Sequence, residues 1–313
     1  MVRIHIIPVG GIGNQMLQLI YAHAIADRLG SACITGYNIP IWGLRAAQDQ
    51  TAILKTLIVG GHMDINLTAA LVKKFGLQTF RLRDVRFRVE DFPPRERVSA
   101  LFNGRGAKIP GFGDDYLVIH IRGWDTLYGA HIDYGPLPLS YYRQLIERTG
   151  LKPVFMGQLG EDFYSNRLRG HFRNALFIPS REPLIDFETI RNSKNIAISV
   201  STFAWLAAWF SDAATIHLPL SGMFNPAQRP DINLLPVADR RYSYYRFPIR
   251  HWRMSDADLE ALSAELPLQE LEVDKVEICL RRAWRRMTLR RFRKNISLYG
   301  KVALASLRQR SGS

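Results

Sequence analysis

Short apolar runs alternate with segments of helical spacing along the second half of the sequence. Five of these runs predict buried strands, at residues 116–123, 153–158, 175–180, 195–201 and 215–220. Between them lie four segments whose apolar residues recur as on one face of a helix, at residues 140–150, 161–172, 183–194 and 202–213. This alternation indicates βαβ units and a mostly parallel sheet.

The first half of the sequence begins in the same way. Residues 3–9 predict a strand, residues 16–29 a helix and residues 32–37 a second strand. The pattern is less regular over residues 40–110, and a cluster of glycines, a proline and polar residues predicts a linker at 104–115. We therefore expect an α/β fold with three regions: an N-terminal lobe over 1–110, a second lobe over 111–250, and C-terminal helices with a basic tail over 251–313.

Length and composition agree with two such lobes, since 313 residues of which 47% are hydrophobic can fill two cores. The two cysteines, Cys33 and Cys279, lie far apart without a CxxC partner, which favours a reducing cytoplasm over a disulfide framework or a thiolate metal site. The N-terminal apolar run is too short for a signal sequence. The most apolar segment, residues 201–220, is broken by two polar residues and a proline, so we expect a soluble or peripheral protein.

A glycine-rich turn, Gly10-Gly11-Ile12-Gly13-Asn14-Gln15, follows the first predicted strand. A dinucleotide fingerprint would need a third glycine where Met16 stands and an acidic residue at the end of the second strand, and a P-loop would need Gly-Lys-Ser/Thr. The turn still joins a strand to a helix N-terminus, which favours an anion, and Gly11 and Gly13 let a ligand approach the backbone. The alternative is a tight connection in which Asn14 caps the helix.

A second group of polar residues, His120, Arg122 and Asp125, lies at the C-terminal end of a buried strand. Ligands bind off that edge of an open α/β sheet, and the planar fork of an arginine can clamp a diphosphate. Asp125 or His120 would then orient the arginine. The alternative is an Arg–Asp surface pair, with His120 satisfied in the core.

A third group stands where the fourth predicted strand of the second half meets the next helix. Ser199, Ser201 and Thr202 offer hydroxyl and N–H groups to a phosphate or a nucleotide, although Ser201 or Thr202 could equally serve as an N-cap. Asp186, in the preceding helix, could accept a hydrogen bond from a guanine edge or simply favour the helix dipole. Trp205 and Trp209, four residues apart, are most simply explained by core packing.

Together these segments resemble the α-1,2-fucosyltransferase family and, more distantly, the α-1,6- and protein O-fucosyltransferases. Gly10–Gln15 matches the family's Gly-Gly-x-Gly-Asn-Gln, and His120–Asp125 matches its His-x-Arg-Arg-x-Asp in part. Residues 200–208 look like its Asn-Ser-Ser/Thr-Phe-Ser-Trp-Trp-x-Ala segment, and residues 136–146 are similar to its Leu-Ser-x-Tyr-Tyr stretch. The resemblance covers roughly residues 4–225. Gly123 replaces the second arginine of the motif and Trp124 replaces its usual glycine.

The resemblance implies a GT-B-type glycosyltransferase with two Rossmann-like lobes facing a cleft. It implies transfer of L-fucose from GDP-fucose to a glycan hydroxyl with inversion, and no required cofactor. The residues it implies for the site are Arg122 on the diphosphate, Ser201, Thr202 and Phe203 along phosphate and nucleotide, Asp186 on guanine, His120 and Asp125 beside the arginine, and Gly11, Gly13 and Asn14 in the first lobe. Another GDP-sugar donor, or a relative that only binds a sugar nucleotide, remains open.

Neither a metal site nor a general base is evident. Asp256 and Asp258 follow Ser255 at the start of a predicted helix, where capping explains them better than metal ligation. Four residues near strand ends are candidates for a base without being assigned: Asp125, His131, Asp133 and Glu161.

The positive charge is concentrated at the C-terminal end of the sequence. Residues 275–310 hold twelve Lys and Arg against one acid, a local balance of +11 out of a net +14. Apolar and aromatic residues are interspersed there: Trp284, Met287, Leu289, Phe292 and Ile296. A basic amphipathic helix on the anionic inner face of a membrane would explain both features. A solvated basic tail is the alternative, and nucleic-acid binding is less favoured because no base-reading module accompanies the charge.

Overall fold

The computed structural model describes residues 1–46, 57–59, 64–103, 109–129 and 131–310, except for the side chains of Asp125, Gln309 and Arg310. The chain divides into two compact units. The first contains Met1–Asn103 and Trp284–Ser313, and the second contains Gly104–Ala283. Residues 104–108 of the predicted linker lie outside the described part of the chain.

The first unit contains a four-stranded parallel sheet of order β2-β1-β6-β5 and a two-stranded antiparallel sheet, β3-β4. Its strands are β1 (Val2–Ile6), β2 (Ala32–Thr35), β3 (Asn38–Ile39), β4 (Leu44–Arg45), β5 (Leu57–Val59) and β6 (Thr79–Leu82). Its N-terminal helices are α1 (Ile12–Leu29), α2 (Ile65–Phe75) and α3 (Arg95–Leu101). Helix α1 follows β1 directly, which confirms the strand, glycine turn and helix expected at the start of the chain.

The second unit contains a seven-stranded sheet of order β13-β12-β11-β10-β7-β8-β9, parallel except for the β12–β13 pair. The strands are β7 (Tyr116–Ile121), β8 (Lys152–Gly157), β9 (Leu176–Pro179), β10 (Asn195–Ala197), β11 (Thr215–Leu220), β12 (Tyr242–Arg246) and β13 (Glu270–Leu271). The helices are α4 (Leu139–Thr149), α5 (Phe163–His171), α6 (Pro183–Arg191), α7 (Thr202–Phe210) and α8 (Asp256–Ala261). All five strands and four helices expected in this half are confirmed, and with them the α/β class.

Burial explains why these strands were visible in the sequence. The last five residues of β7 are buried, because a central strand of a parallel sheet is covered on both faces. Its sequence is therefore an almost continuous apolar run. Trp205 and Trp209 on α7 stack at 5.3 Å between ring centres and are both buried, which confirms their role in the core.

Two further helices end the chain, α9 (Val273–Arg286) and α10 (Thr288–Arg310). Helix α10 packs on α2, where the Ser306 hydroxyl donates to the Phe75 carbonyl at 2.7 Å and Tyr299 meets the Phe75 ring edge-on. The guanidinium carbons of Arg88 and Arg291 lie 3.7 Å and 3.5 Å from the centre of a Trp284 ring. Both guanidiniums are therefore within cation–π distance of the indole.

Two residues expected among the exposed tail anchors are therefore covered at least in part by the protein. The Trp284 ring has two arginine guanidiniums over it, and Met287 is buried. The expectation that Met287 would face a membrane is therefore wrong. Met287 lies between α9 and α10 and is buried, which the alternation of Arg and apolar residues along the tail does not reveal.

Candidate functional site

The C-terminal ends of the neighbouring strands β7 and β10 carry most of the residues that the sequence singles out. The two strands are parallel and are paired through Ile119 and Ala197. His120 stands near the end of β7 and Arg122 just beyond it, while Ser199 and Ser201 follow β10. Because parallel strands end at the same edge, these side chains come together. We call this group, with Val200, the β7–β10 edge.

His120 is buried at this edge. Its Nδ1 lies 2.7 Å from the Ser199 Oγ. Burial of the imidazole, together with the nearby charge of Arg122, lowers the pKa of His120 to about 3. The ring is therefore uncharged at neutral pH. His120 is thus satisfied within the protein, as the core alternative anticipated, and it joins the two strand ends.

Arg122 is half-buried beside the same strand end. Its Nη1 donates to the Val200 carbonyl at 3.4 Å, and its guanidinium carbon lies 5.9 Å from the centre of the Tyr134 ring. A small cavity opens here, lined in part by Arg122, Tyr134, Ser199 and Val200. Arg122 therefore presents a positive charge next to the loop that leads into α7.

Helix α7 begins at the same edge. Ser201 is its N-cap, with the hydroxyl accepting from the Ala204 N–H at 3.4 Å, so the capping alternative for Ser201 is confirmed. Thr202 is buried in the first turn, and the Phe203 ring centre lies 6.5 Å from that of His120. The first turn of α7 holds no acidic residue, so the positive end of the helix dipole adds to the charge of Arg122.

Gly123 and Trp124 stand where the resembled motif has an arginine and a glycine, and the structure shows what each residue does locally. A Cβ at Gly123 would lie 2.5 Å from the Gln158 carbonyl oxygen, and the Gly123 N–H donates to the Gln158 Oε1 at 3.0 Å. No larger residue, arginine included, fits at this position without moving the β8 end. Trp124 has a φ of 49°, the left-handed region that glycine adopts without strain, and it is 59% exposed.

Asp125 belongs to the 3-10 helix Trp124–Thr126, but its side chain lies outside the described part of the structure. Among the other candidates for a base, Asp133 accepts from the Gln228 Nε2 at 3.1 Å and lies 3.2 Å from the His251 Nδ1. His131 stacks on Tyr134 with 4.1 Å between ring centres. Asp133 is therefore a member of a hydrogen-bonded network, and no base is assigned.

Asp186 is buried in the first turn of α6, and both of its carboxylate oxygens accept from Arg181. The Arg181 backbone N–H donates to Oδ2 and the Arg181 Nε donates to Oδ1, each at 3.0 Å. Arg181 also donates to the Thr189 hydroxyl at 3.0 Å. Sequence reasoning missed Arg181, although its place directly after a predicted strand was a usable signal.

The glycine turn lies in the first unit. Gly10 has a φ of +69°, and a Cβ there would overlap the Asn14 amide. The N-cap of α1 is Gly11, which has no side-chain cap, so the alternative in which Asn14 caps the helix is wrong. Asn14 lies instead within the first turn, and Gly13 is buried beside it. Apart from the chain neighbours of Gly11, no atom lies within 4 Å of the position of a Cβ there, so the space at that position is open.

A buried amide that sequence reasoning missed fixes this turn. Gln18 is fully buried on α1, where its Oε1 accepts from the Val9 N–H and its Nε2 donates to the Ile7 carbonyl, each at 3.0 Å. The signal in the sequence was a glutamine between Leu17 and Leu19, on the helix face that packs inward. Its two bonds hold the loop between β1 and α1 against the helix.

In the described part of the chain, no group of three or more His, Cys, Asp or Glu residues is placed so that it could hold a metal ion. Ser255 and Asp258 form a capping box at the start of α8, which confirms the capping explanation for the Asp256–Asp258 motif. Within the described ranges, none of the helices is both long enough and apolar enough to cross a membrane.

No protein-family model matches this sequence, and no curated protein sequence matches it. Solved structures resemble its fold. A mutant of Arabidopsis thaliana FUT1 in complex with GDP has 10% identity and a TM-score of 0.45, with 82% of this chain and 73% of that chain covered. The E. coli ADP-heptose LPS heptosyltransferase II has 15% identity and a TM-score of 0.42, with 84% and 98% covered. The E. coli heptosyltransferase WaaC with ADP has 10% identity and a TM-score of 0.42, with 90% and 100% covered.

Identities of 10% to 15% and TM-scores of 0.42 to 0.45 do not establish a shared function. What the chain itself shows is two α/β units with a parallel sheet in each, as expected of the GT-B type.

Proposed function

We propose that this protein is a glycosyltransferase that moves L-fucose from GDP-fucose to a hydroxyl of a glycan, forming an α-1,2 linkage with inversion. The observation that carries the proposal is the meeting of Arg122 with the N-terminus of α7 at the β7–β10 edge. Both features attract a diphosphate, one by its charge and the other by its backbone N–H groups and dipole.

The chemistry of glycosyl transfer explains why such a site suits this reaction. When the bond between sugar and diphosphate breaks, negative charge grows on the departing diphosphate and positive charge grows on the sugar ring. Arg122 and the α7 N-terminus would stabilise the negative charge as it develops, without having to reorganise. His120, uncharged at neutral pH, would keep Ser199 and the loop before α7 in place.

The other residues take their proposed roles from the family resemblance. Ser201, Thr202 and Phe203 would line the phosphates and the nucleoside, Asp186 would contact guanine, and Asp125 would orient Arg122. Gly11, Gly13 and Asn14 would serve from the first lobe, which we assign to the acceptor. We place the enzyme in the cytoplasm at the inner face of a membrane, and we propose no cofactor.

Calorimetry with purified full-length protein tests the donor assignment. GDP and GDP-fucose should bind, UDP-glucose should not, and Arg122→Ala should weaken GDP binding by about tenfold to a hundredfold because a bidentate cation is lost. Arg143→Ala is the matched control, since Arg143 is a half-buried arginine of the same unit that pairs with Glu147 and Glu265. Absence of GDP binding by folded wild-type protein, with and without glycan acceptors, would sink the proposal.

The second candidate function is transfer from a different GDP-sugar donor. The observation that supports it is the lack of space at Gly123. The motif's second arginine has no room there, so this site holds the diphosphate with one cation fewer at that position. GDP-mannose in the same titration, followed by transfer assays with both sugars, decides between the two. Tight GDP binding without transfer or hydrolysis of either sugar nucleotide would instead indicate a binding protein.

A further inference from the structure

Helix α10 has two apolar faces. One face is buried against the first unit and includes Leu298, Val302 and Ala305. The other face is exposed, and we call it the α10 outer face. It consists of five large aliphatic or aromatic side chains that are each 48–65% exposed: Leu289, Phe292, Ile296, Leu304 and Leu307.

The two faces point in opposite directions. Successive residues of an α-helix are rotated by about 100°, so Leu289 and Leu298 lie about 180° apart around the axis. By the same geometry the five outer residues all lie within about 60° of Leu289. The outer face is therefore an apolar stripe along the helix, with one charged residue, Arg293, inside it. It is more than the scattered exposed residues that are normal on a protein surface.

Positive charge borders this stripe on one side. Arg290, Lys301 and Arg308 are exposed and lie about 100–120° from Leu289 in the same rotational direction, whereas the exposed Arg293, at about 40°, lies within the stripe. Residues 288–310 contain seven Lys and Arg and no acidic residue. The face therefore combines apolar anchors with a row of cations.

We propose that the α10 outer face docks on an anionic lipid bilayer, with the five anchors at the boundary of headgroups and acyl chains and the cations among the headgroups. Apolar burial and attraction to anionic lipid act together on such a helix. Nucleic acid would use the cations but leave the apolar stripe in water. A second copy of the chain would oppose two helices of the same high positive charge.

The sequence alone suggested a different set of residues in contact with the lipid. Met287 and the Leu298 side of α10 are buried, and the Trp284 ring is half-buried with the Arg88 and Arg291 guanidiniums over it. The inference concerns other residues than the β7–β10 edge and stands without the donor assignment.

Sedimentation with lipid vesicles tests the docking face in the full-length protein. Wild-type protein should bind phosphatidylcholine vesicles that contain phosphatidylglycerol, much less so those without it, and binding should weaken with added salt. The double substitution Leu289→Ser with Phe292→Ser should reduce partitioning by about tenfold or more, since two anchors are lost. The control Ile249→Ser removes an equally exposed aliphatic residue from the second unit and should leave binding unchanged.

Because all these positions are exposed, the variants should unfold at the same temperature as the wild type, which a melting curve verifies. Three results would overturn the proposal. One is that wild-type protein ignores anionic vesicles, and another is that the double variant binds them as well as the wild type. The third is that ultracentrifugation shows a dimer that the double substitution dissociates, with no vesicle binding, which would make a second copy the occupant.

Discussion

The Nδ1 of His120 and the hydroxyl of Ser199 lie 2.7 Å apart and join the ends of two neighbouring parallel strands. The imidazole is buried, and its pKa of about 3 keeps it uncharged at neutral pH. The bond therefore links β7 to the loop that leads into α7 without adding a charge to the β7–β10 edge. Arg122, which directly follows β7, supplies positive charge at this edge.

This burial makes the stability of the protein depend on pH. Below the ordinary histidine pKa of 6.5 an unfolded His120 takes up a proton, whereas the folded one stays neutral until about pH 3. Stability contributed by His120 is thus complete above pH 6.5 and is lost as the pH falls toward 3, at about 1.4 kcal/mol per pH unit. In urea unfolding, His120→Asn should be less stable than wild type at neutral pH but show a shallower decline in acid. Equal slopes would contradict a neutral buried imidazole.

The contact between Gly123 and Gln158 predicts a sharp size limit. Gly123→Ala should lower the free energy of unfolding by about 1–3 kcal/mol, because its Cβ would press on a backbone oxygen that cannot rotate away. Gly113→Ala is the matched control, since no atom lies within 4 Å of a Cβ there. Thermal melting should separate the two variants clearly. Similar melting temperatures would mean that the end of β8 yields at little cost.

The positive φ of Trp124 predicts an unusual order of stability at one position. At an ordinary exposed site, alanine is more stable than glycine, because glycine gains more backbone freedom on unfolding. At Trp124 the order should reverse, with Trp124→Gly more stable than Trp124→Ala by about 1 kcal/mol, since the left-handed region strains any residue with a Cβ. Comparing the two variants cancels the loss of the exposed ring. The ordinary order would show that the loop relaxes out of this conformation.

The pairing of Asp186 with Arg181 allows a test of base recognition. If the Asp186 carboxylate contacts guanine, Asp186→Asn should weaken GDP binding by about tenfold. Arg181→Ala breaks the same ion pair but leaves the carboxylate in place, so GDP binding should be kept or strengthened. Equal losses in both variants would mean that the pair only shapes the start of α6. Inosine diphosphate keeps N1–H but lacks the 2-amino group, so Asp186→Asn should weaken its binding less than it weakens that of GDP.

Much of the second unit could be predicted because its strands are buried on both faces. A strand such as β7 or β11 appears in the sequence as an apolar run bounded by turn residues, and the helices between them keep their 3.6-residue period. The residues at the strand ends follow from the same pattern, since parallel strands place their C-termini on one edge. Both the fold class and the grouping of His120, Arg122 and Ser201 were therefore within reach of the sequence.

The features that the sequence did not predict depend on contacts between residues that are distant in sequence, which the local pattern does not specify. Gln158 determines what fits at Gly123, yet the two are separated by 35 residues in sequence. Gln18 is a polar residue on a buried helix face, and its role emerges only once the loop carbonyl and N–H groups lie beside it. The tail shows the same limit, because the side chain that lies over the Trp284 ring is Arg88, from the N-terminal half of the sequence.

The packing of α10 on α2 also has a consequence for how the protein is made. Ser306 and Phe75, which are hydrogen-bonded in the first unit, are 231 residues apart in sequence. While the chain is being synthesised, residues 1–103 therefore lack the helix that covers α2, and they must wait until the second unit has been translated. The second unit is continuous in sequence and can complete its core first. The N-terminal unit, although synthesised first, is expected to be the last to reach its native state and to expose its apolar α2 surface to chaperones in the meantime.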